Sequence, residues 1–345
     1  MGELNDKTFI DIRKAREFLG KGFLGADLHV HSSASYDVIP SMDATPESIV
    51  RRERALGLVP MITDHDTLDG AYVLGIAGVE IKIKPPEVGH TIHVNVYGKN
   101  TEKFSAQFHD LENIASTGDF KGFISYLKDA ELSFQYNHPF WCEPFERLNI
   151  AAVLKIAKEF PVIELNSGRI RQLNDHAYRM AKELGKGITS TTDSHIGEPG
   201  NAMTVAKGSD FFEFWDNVAN GNSYLVRNDM TLSTIAHDIE ARILQYTDCD
   251  IDEFRKKDLK TGILMADAMI DHLASDVYKK NILLKKAVSF IAGHIIGPSV
   301  AAALLIIPQN RTAYDIDRIN KTWNYKSRQL IYDQPRFVSY GLNRA

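Results

Sequence analysis

Twelve histidines occur in the chain, and several stand beside carboxylates at spacings suited to holding metal ions. Asp27-Leu28-His29-Val30-His31 sets two imidazoles two residues apart. On an extended strand residues i and i+2 face the same side, so His29 and His31 can address one ion together. Asp37 follows in a Ser-rich loop, within reach of the same cluster. Thr63-Asp64-His65-Asp66, Gly78-Val79-Glu80-Ile81, Asn137-His138-Pro139 and Thr192-Asp193-Ser194-His195 add further imidazoles and carboxylates, the last again with a period-two step from Asp193 to His195. Imidazole and carboxylate donors without thiolates suit Zn²⁺, Mn²⁺ or Fe ions. More than four such donors imply two or three ions with bridging carboxylates, an arrangement built for hydrolysis at phosphorus or carbonyl centres. Each piece alone has a plainer reading: an HxH pair on a strand, a turn or helix cap at TDHD, a solvated Glu80, a loop His138. Their conjunction in one chain, each at a strand end, favours the metal reading.

The elements that must position these residues alternate along the chain. Apolar runs predict strands over 23–30, 58–63, 76–83, 91–97, 132–136, 162–166 and 187–192. Helical patterns fall at about 6–19, 46–56, 105–115, 120–129, 151–159 and 175–184, and Thr45-Pro46 supplies an N-cap followed by proline at the first helical position. Such alternation predicts an α/β fold with mostly parallel strands, whose C-terminal ends converge on one face where sites assemble. After about residue 227 the strand-like runs stop, and helices are expected over 231–246, 262–275, 278–292 and 314–323. The chain therefore divides, on this reading, into 1–227 and a helical extension over 228–345.

Composition narrows the function classes. With 345 residues, 44% hydrophobic and 25% charged, the chain has the make-up of a globular protein. Its net charge of -5 provides no general basic field for gripping nucleic acid. Two distant cysteines, Cys142 and Cys249, exclude a disulfide framework or thiolate zinc site and point to a reducing, cytoplasmic setting. The charged N-terminus lacks a secretory apolar region. The apolar run 287–308 approaches membrane-spanning length, but its Gly297-Pro298-Ser299 break suggests two shorter buried helices, so membrane contact is not expected.

The stretches DLHVHSSASYD, GLVPMITDHDTLDG, GVEI, NHPF and TTDSH, in that order, resemble the PHP (polymerase and histidinol phosphatase) superfamily over roughly residues 23–227. The resemblance implies a distorted seven-stranded (β/α) barrel followed by the mainly helical C-terminal extension. It implies two or three divalent metal ions (Zn, Mn or Fe) at the strand C-termini, and phosphoester hydrolysis. Carried over by motif, the metal ligands are His29, His31, Asp37, His65, Glu80, His93, His138, Asp193 and His195, with Glu80 as the bridging carboxylate. His90 competes with His93 for its place. Asp64 is expected behind a ligand histidine. Glu164-Leu165-Asn166-Ser167-Gly168-Arg169 resembles the family's E-x-x-N segment and puts Asn166 and Arg169 at the barrel mouth, where Arg169 would grip a phosphate, with Arg171 in reserve. Asn174 would help seat the next helix.

The implied enzyme is a metal-dependent phosphoric ester hydrolase, a phosphatase of a small phosphorylated metabolite or nucleotide. A metal-bridging hydroxide attacks phosphorus, with Asp193, His195 and Arg169 as catalytic residues. The alternatives are a phosphodiesterase or exonuclease, and a metal-stabilised binding module without catalysis. Nucleic acid is a secondary partner, since the acidic charge disfavours a polyanion. The extension is a candidate surface for a homo-oligomer. The basic, aromatic tail from Arg311 to Arg344, with Trp323, reads more simply as a solvated helix and terminal segment than as a phosphate-binding arm.

Overall fold

The computed structural model describes residues 7–143, 146–249, 281–291, 306–322 and 337–339. The expected helix over 262–275, the Gly297-Pro298-Ser299 break and the tail from Trp323 to Arg336 lie outside the described residues, as does Arg344. A short helix α1 (Ile12–Phe18) leads into β1 (Phe23–Ala26). Then come α2 (Pro46–Ala55), β2 (Ile76–Ile83), β3 (Ile92–Lys99), α3 (Glu102–Thr117), α4 (Phe120–Asp129), β4 (Ser133–Tyr136), β5 (Arg147–Asn149) and α5 (Ile150–Ile156). They are followed by β6 (Val162–Asn166), α6 (Arg171–Leu184), β7 (Gly187–Thr191), β8 (Met203–Lys207), α7 (Phe211–Ala219), β9 (Ser223–Val226) and α8 (Leu232–Asp248). The start of α2 follows the sequence: Thr45 Oγ1 accepts from the Ser48 amide and Pro46 occupies the first turn.

A five-stranded sheet runs β2-β3-β4-β6-β7, and a three-stranded sheet runs β1-β8-β9. The expectation of mostly parallel strands is corrected. β2–β3 and β3–β4 pair antiparallel, β4–β6 and β6–β7 pair parallel, and the smaller sheet is antiparallel throughout. The eight residues between β2 and β3 are too few for a helical crossover, so that pair can only turn back on itself. The described strands form no closed barrel. The expected strand at 58–63 is extended chain rather than a ladder, held by the Val59 amide to Gly25 O and the Thr63 amide to Val30 O, both at 2.8 Å. Single parallel bridges join His65 to Glu80 and Val30 to Ser194. Gly78 permits the first of these approaches, because a Cβ there would lie 2.7 Å from the Ile62 carbonyl oxygen.

The large sheet is buried on both faces, and strand alternation sorts its residues by chemistry. Val79, Ile81, Val94, Val96, Phe134, Tyr136, Ile163, Leu165 and Ile188 face outward under α3, α4, α5 and α6, in one apolar core with Phe108, Leu111, Phe123, Leu127 and Met180. Each such fully buried side chain contributes roughly 1.5–3 kcal/mol by leaving water. The alternate positions Glu80, His93, Asn95, Gln135, Glu164, Asn166, Thr189 and Thr191 are polar and equally buried. Tyr97 and Val162, on the same strands, join Leu28, Met61, Phe214 and Trp215 in a second apolar cluster. The space inside the sheet is thus polar toward one end and apolar toward the other.

Beyond residue 231, α8 and the helix Ile282–Ile291 lie side by side, and the helix Ile307–Thr322 packs on α6. The last begins earlier than the 314–323 expected, with Pro308 in its first turn. Gln309 accepts from the Ile170 amide (2.8 Å) and donates to Gly168 O (3.2 Å), which ties this helix to the loop after β6. No helix among the described residues is long and apolar enough to cross a membrane. The strand Phe337–Ser339 pairs with β5.

Candidate metal centre

The polar end of the sheet gathers the donors. His29 Nε2 lies 3.0 Å from His31 Nε2, 3.1 Å from Glu80 Oε2 and 3.3 Å from Asp193 Oδ1. His31 Nε2 lies 3.2 Å from each of the same two oxygens. His29 Nε2, His31 Nε2 and Asp193 Oδ1 therefore form one mutually close group, and Glu80 Oε2 approaches the same two nitrogens. Ligands about 2.0–2.1 Å from a tetrahedral zinc ion stand about 3.3–3.4 Å apart, so this spacing is that of a coordination shell. Around it, His195 Nε2 lies 2.9 Å and His65 Nε2 3.3 Å from Asp37 Oδ2. On the other side of Glu80, Oε1 lies 3.0 Å from His93 Nδ1 and 3.4 Å from His138 Nε2. Three overlapping groups result: His29, His31 and Asp193; His31, Asp37, His65 and His195; and His65, Glu80 and His93. Glu80 turns one oxygen toward His29 and His31 and the other toward His93 and His138. All nine expected ligands are in the cluster. His90 is not: it is buried elsewhere, where its Nδ1 accepts the Asn149 amide, and burial lowers its pKa to about 4.

The electrostatics also fit cations. Burial pushes the Glu80 carboxyl up, but His29, His65 and His93 outweigh it and hold Glu80 well below the usual range. Asp193 and Asp37 behave alike, each held down by its histidines against the cost of burial. Burial opposes protonation of the imidazoles, yet the Asp193 and Glu80 carboxylates raise His31 to about 10, and Glu80 with Glu143 raises His93 to about 9. His65 and His138, dominated by burial, fall below the ordinary value. The carboxylates thus draw positive charge into a closed space. Among the described residues, three buried atoms there, Glu80 Oε2, His31 Nδ1 and His65 Nδ1, have no partner in hydrogen-bond geometry, although Glu80 Oε2 and His65 Nδ1 lie 3.1 Å apart. A buried polar atom without a partner is costly, and a divalent ion would engage the first of them directly.

Supporting residues fix the donors. Glu164, fully buried, accepts from His29 Nδ1 (2.7 Å), the His138 amide (2.7 Å), Thr191 Oγ1 (2.6 Å) and Asn166 Nδ2 (3.1 Å). Its hold on Nδ1–H leaves His29 Nε2 as the lone-pair atom aimed at the centre. Asn137 donates to Glu80 Oε1 (2.7 Å) and Asn95 Oδ1 (2.8 Å), and the chain continues through Gln135 to Thr189. Asp64 lies close enough to His31 and His65 for their charges to act on it, but its two oxygens hold Ser32 through the amide and the hydroxyl, each at 2.6 Å, rather than a ligand imidazole. Asp27 clamps the loop after β7 in the same manner, through Thr192 and the Gly200 amide. Backbone strain gathers here too: Asp66 (φ 50°), His138 (φ 27°) and Asp193 (φ 54°) are left-handed without being glycine.

At the mouth, Arg169 lies over the Trp141 ring (5.1 Å), donates through Nη1 to Gly168 O, and leaves Nε unpartnered. Trp141 stands edge-on to His138 and His93. Opposite, Lys82 covers the Tyr36 ring, which lies 5.1 Å from His65. Arg171 is exposed on α6, outside this mouth, and Asn174 seats α6 by exchanging hydrogen bonds with the Asn166 backbone. Cys142 is a buried cysteine beside the site, and Cys249 is also buried; neither forms a disulfide among the described residues. Glu143 escaped the sequence reading; its Oε1 lies 3.1 Å from His93 Nε2, and only the fold of the loop after His138 reveals it.

No family model and no curated relative matches the chain. Among solved structures it is similar to PsfC from Pseudomonas syringae (15% identity over 65% of this chain and 98% of that one, TM-score 0.45). It is also similar to a two-domain protein from Bacteroides vulgatus containing a predicted PHP-like metal-dependent phosphoesterase (18%, 66% and 69%, TM-score 0.42). A third is the lesion-specific endonuclease PfuEndoQ from Pyrococcus furiosus (14%, 59% and 57%, TM-score 0.40). The solved structures that this chain resembles thus include PHP-like metal-dependent phosphoesterases.

Proposed function

We propose that the chain is a PHP-type metal-dependent phosphoesterase that hydrolyses a small phosphomonoester. One observation carries the reading: His29 Nε2, His31 Nε2 and Asp193 Oδ1 lie at coordination-shell spacing, with Glu80 Oε2 beside the two imidazoles. The first three would hold one ion. Asp37, His65 and His195 would hold a second, and His93 and His138 a third through Glu80. Divalent ions bound there would activate water and neutralise phosphoryl oxygens. The protein's own groups do the rest. Arg169, braced on Trp141 with a free Nε, would grip a phosphoryl oxygen. His195 donates through Nδ1 to Asp193 O (2.9 Å), which leaves Nε2, at the open rim, to bind an ion or orient the attacking water. Asp193 ties that rim to His29 and His31.

The rim carboxylates Asp37 and Glu143 disfavour a polyanion, which supports a small monoester over a nucleic-acid strand. The proposal includes a distorted seven-stranded barrel, in which the stretches 27–31 and 58–65 complete the ring begun by the five-stranded sheet. It also includes the division into 1–227 and 228–345, and a cytoplasmic setting, which two buried cysteines with no disulfide among the described residues support.

The test loads the full chain with Mn²⁺ or Zn²⁺, measures bound metal, and follows phosphate release from a panel of monoesters and diesters. Metal-dependent release from monoesters is expected, and Glu80→Gln should lose bound metal and activity together. Full activity in metal-free protein would sink the proposal. Cleavage confined to diesters would replace it with the nuclease reading.

A further inference from the structure

A cleft of about 250 Å³ opens beside Asp193 and His195, between the loop after β7 and α8. Its walls are polar in a particular way. Asn201, Asn228, Ser233, Asp238 and Arg242 all line it, and no side chain of the five has a hydrogen-bond partner among the described residues, although the Arg242 and His237 charges act on Asp238. Ile196 is buried in its wall, and Met230 adds a second apolar patch. Glu198 also lines it, paired with His237 at 2.7 Å. Asp193 and His195, with side chains 13% and 16% exposed, form the step between the cleft and the metal donors.

The lining selects by exclusion. A second phosphate or a carboxylate would meet Asp193, Glu198 and Asp238, and among the described lining residues Arg242 alone, already facing the Asp238 charge, is a cation without an ion pair to receive it. An aliphatic or aryl group would cover two carboxamides, a hydroxyl and a carboxylate without satisfying them, and sites with unpaired polar groups reject such ligands strongly. A polyhydroxylated group fits both demands. Its hydroxyls donate to Asp238 and to the carboxamide oxygens and accept from Arg242 and the carboxamide N–H groups, while its C–H face lies on Ile196 and Met230. The volume suits one such ring.

We propose that this cleft is the subsite for the alcohol portion of the substrate, and that this portion is a polyol such as a single sugar ring. The inference rests on the phosphoesterase reading and deepens it. It also gives α8, from the segment beyond residue 228, a direct part in substrate choice.

The experiment compares kcat/KM of the metal-loaded full chain on a hexose monophosphate and a pentose monophosphate with kcat/KM on phenyl phosphate, which carries no hydroxyls. A preference of tenfold or more for the sugar esters is expected. Asp238→Asn and Asn228→Ala should each lower the ratio of sugar-ester to phenyl-ester kcat/KM about tenfold, mainly through KM. Circular dichroism and bound-metal content check that each variant is folded and loaded. Hydrolysis of phenyl phosphate with no sugar preference, and a ratio unmoved in both variants, overturns the polyol subsite and leaves the phosphoesterase standing. Hydrolysis of neither class by fully loaded protein overturns both.

Discussion

The inner and outer halves of the centre are built differently. His29, His31 and Glu80 are essentially inaccessible to solvent, and Glu164 holds His29 Nδ1 from behind while three further donors, the His138 amide, Thr191 and Asn166, fix Glu164 itself. Asp37, His195 and Glu143 sit at the rim, with side chains 28%, 16% and 30% exposed. A buried donor set is preorganised, because its rotamers are fixed by packing and by supporting hydrogen bonds. A rim set keeps access for water and substrate. On the proposed reading, the inner half would retain its ion tightly and the outer half would serve exchange and turnover.

The largest expected effect comes from cutting the two carboxylate supports separately. Glu164→Gln should weaken the tightest ion about 10–100-fold, the range seen when a histidine ligand loses its orienting carboxylate. Glu143→Gln, which acts on His93 from a half-open position, should weaken a different ion and stay near the low end. Competitive titration with a chelating dye resolves the steps. Equal losses in the two variants would erase the distinction between the halves.

Proton linkage gives the next effect. Without ions, His31 and His93 hold their protons to about 10 and about 9. Ions must displace them at neutral pH. Metal affinity should therefore climb as pH rises from 6 to 9, by up to about tenfold per pH unit for each proton released. Calorimetry in buffers of different ionisation enthalpy counts those protons. An affinity independent of pH would contradict the picture of carboxylates drawing in positive charge.

The smallest effect sharpens the comparison from outside it. Glu53 is buried like Glu80 but has no cation. One oxygen accepts the Met61 amide, the other has no partner, and burial, with the Asp27 charge, raises its pKa well above the usual value. The folded state then binds more protons than the unfolded state between the ordinary carboxyl value and the raised one, so stability falls as pH rises through that window. Glu53→Gln should be neutral below pH 4 and stabilise by about 1 kcal/mol at pH 8, read from urea midpoints. Destabilisation at pH 8 would mean that Glu53 has a charged partner after all.

The donors were legible in the sequence because ligand chemistry restricts residue type; but the pairs His29 with His31 and Asp193 with His195 both lie just past the strand ends, and Asp193, left-handed beyond β7, comes beside His195 through the turn of its loop rather than through the strand period. Five of the strands expected up to residue 192 formed close to their predicted places. What was not legible depended on distant chain. Nothing local says that β2, β3 and β4 run antiparallel, or that 58–63 lies extended without a ladder. β8 and β9 escaped because each is a short run whose burial comes from β1 and from each other. Glu164 was visible only as part of a motif, since its grip on His29 joins residues 135 apart in sequence. Glu143 depends on a loop returning to His93, and Asp64 on a serine from another segment.

His138 and Asp193 take left-handed backbone conformations that cost roughly 1–3 kcal/mol each in an ordinary residue. Glycine would relieve that cost at either position, and asparagine would ease it, but each replacement removes or blunts a donor. Here heat resistance and chemistry compete for the same two codons. A variant library screened only for survival at high temperature should drift toward Gly or Asn at these positions and yield sturdy, inactive proteins.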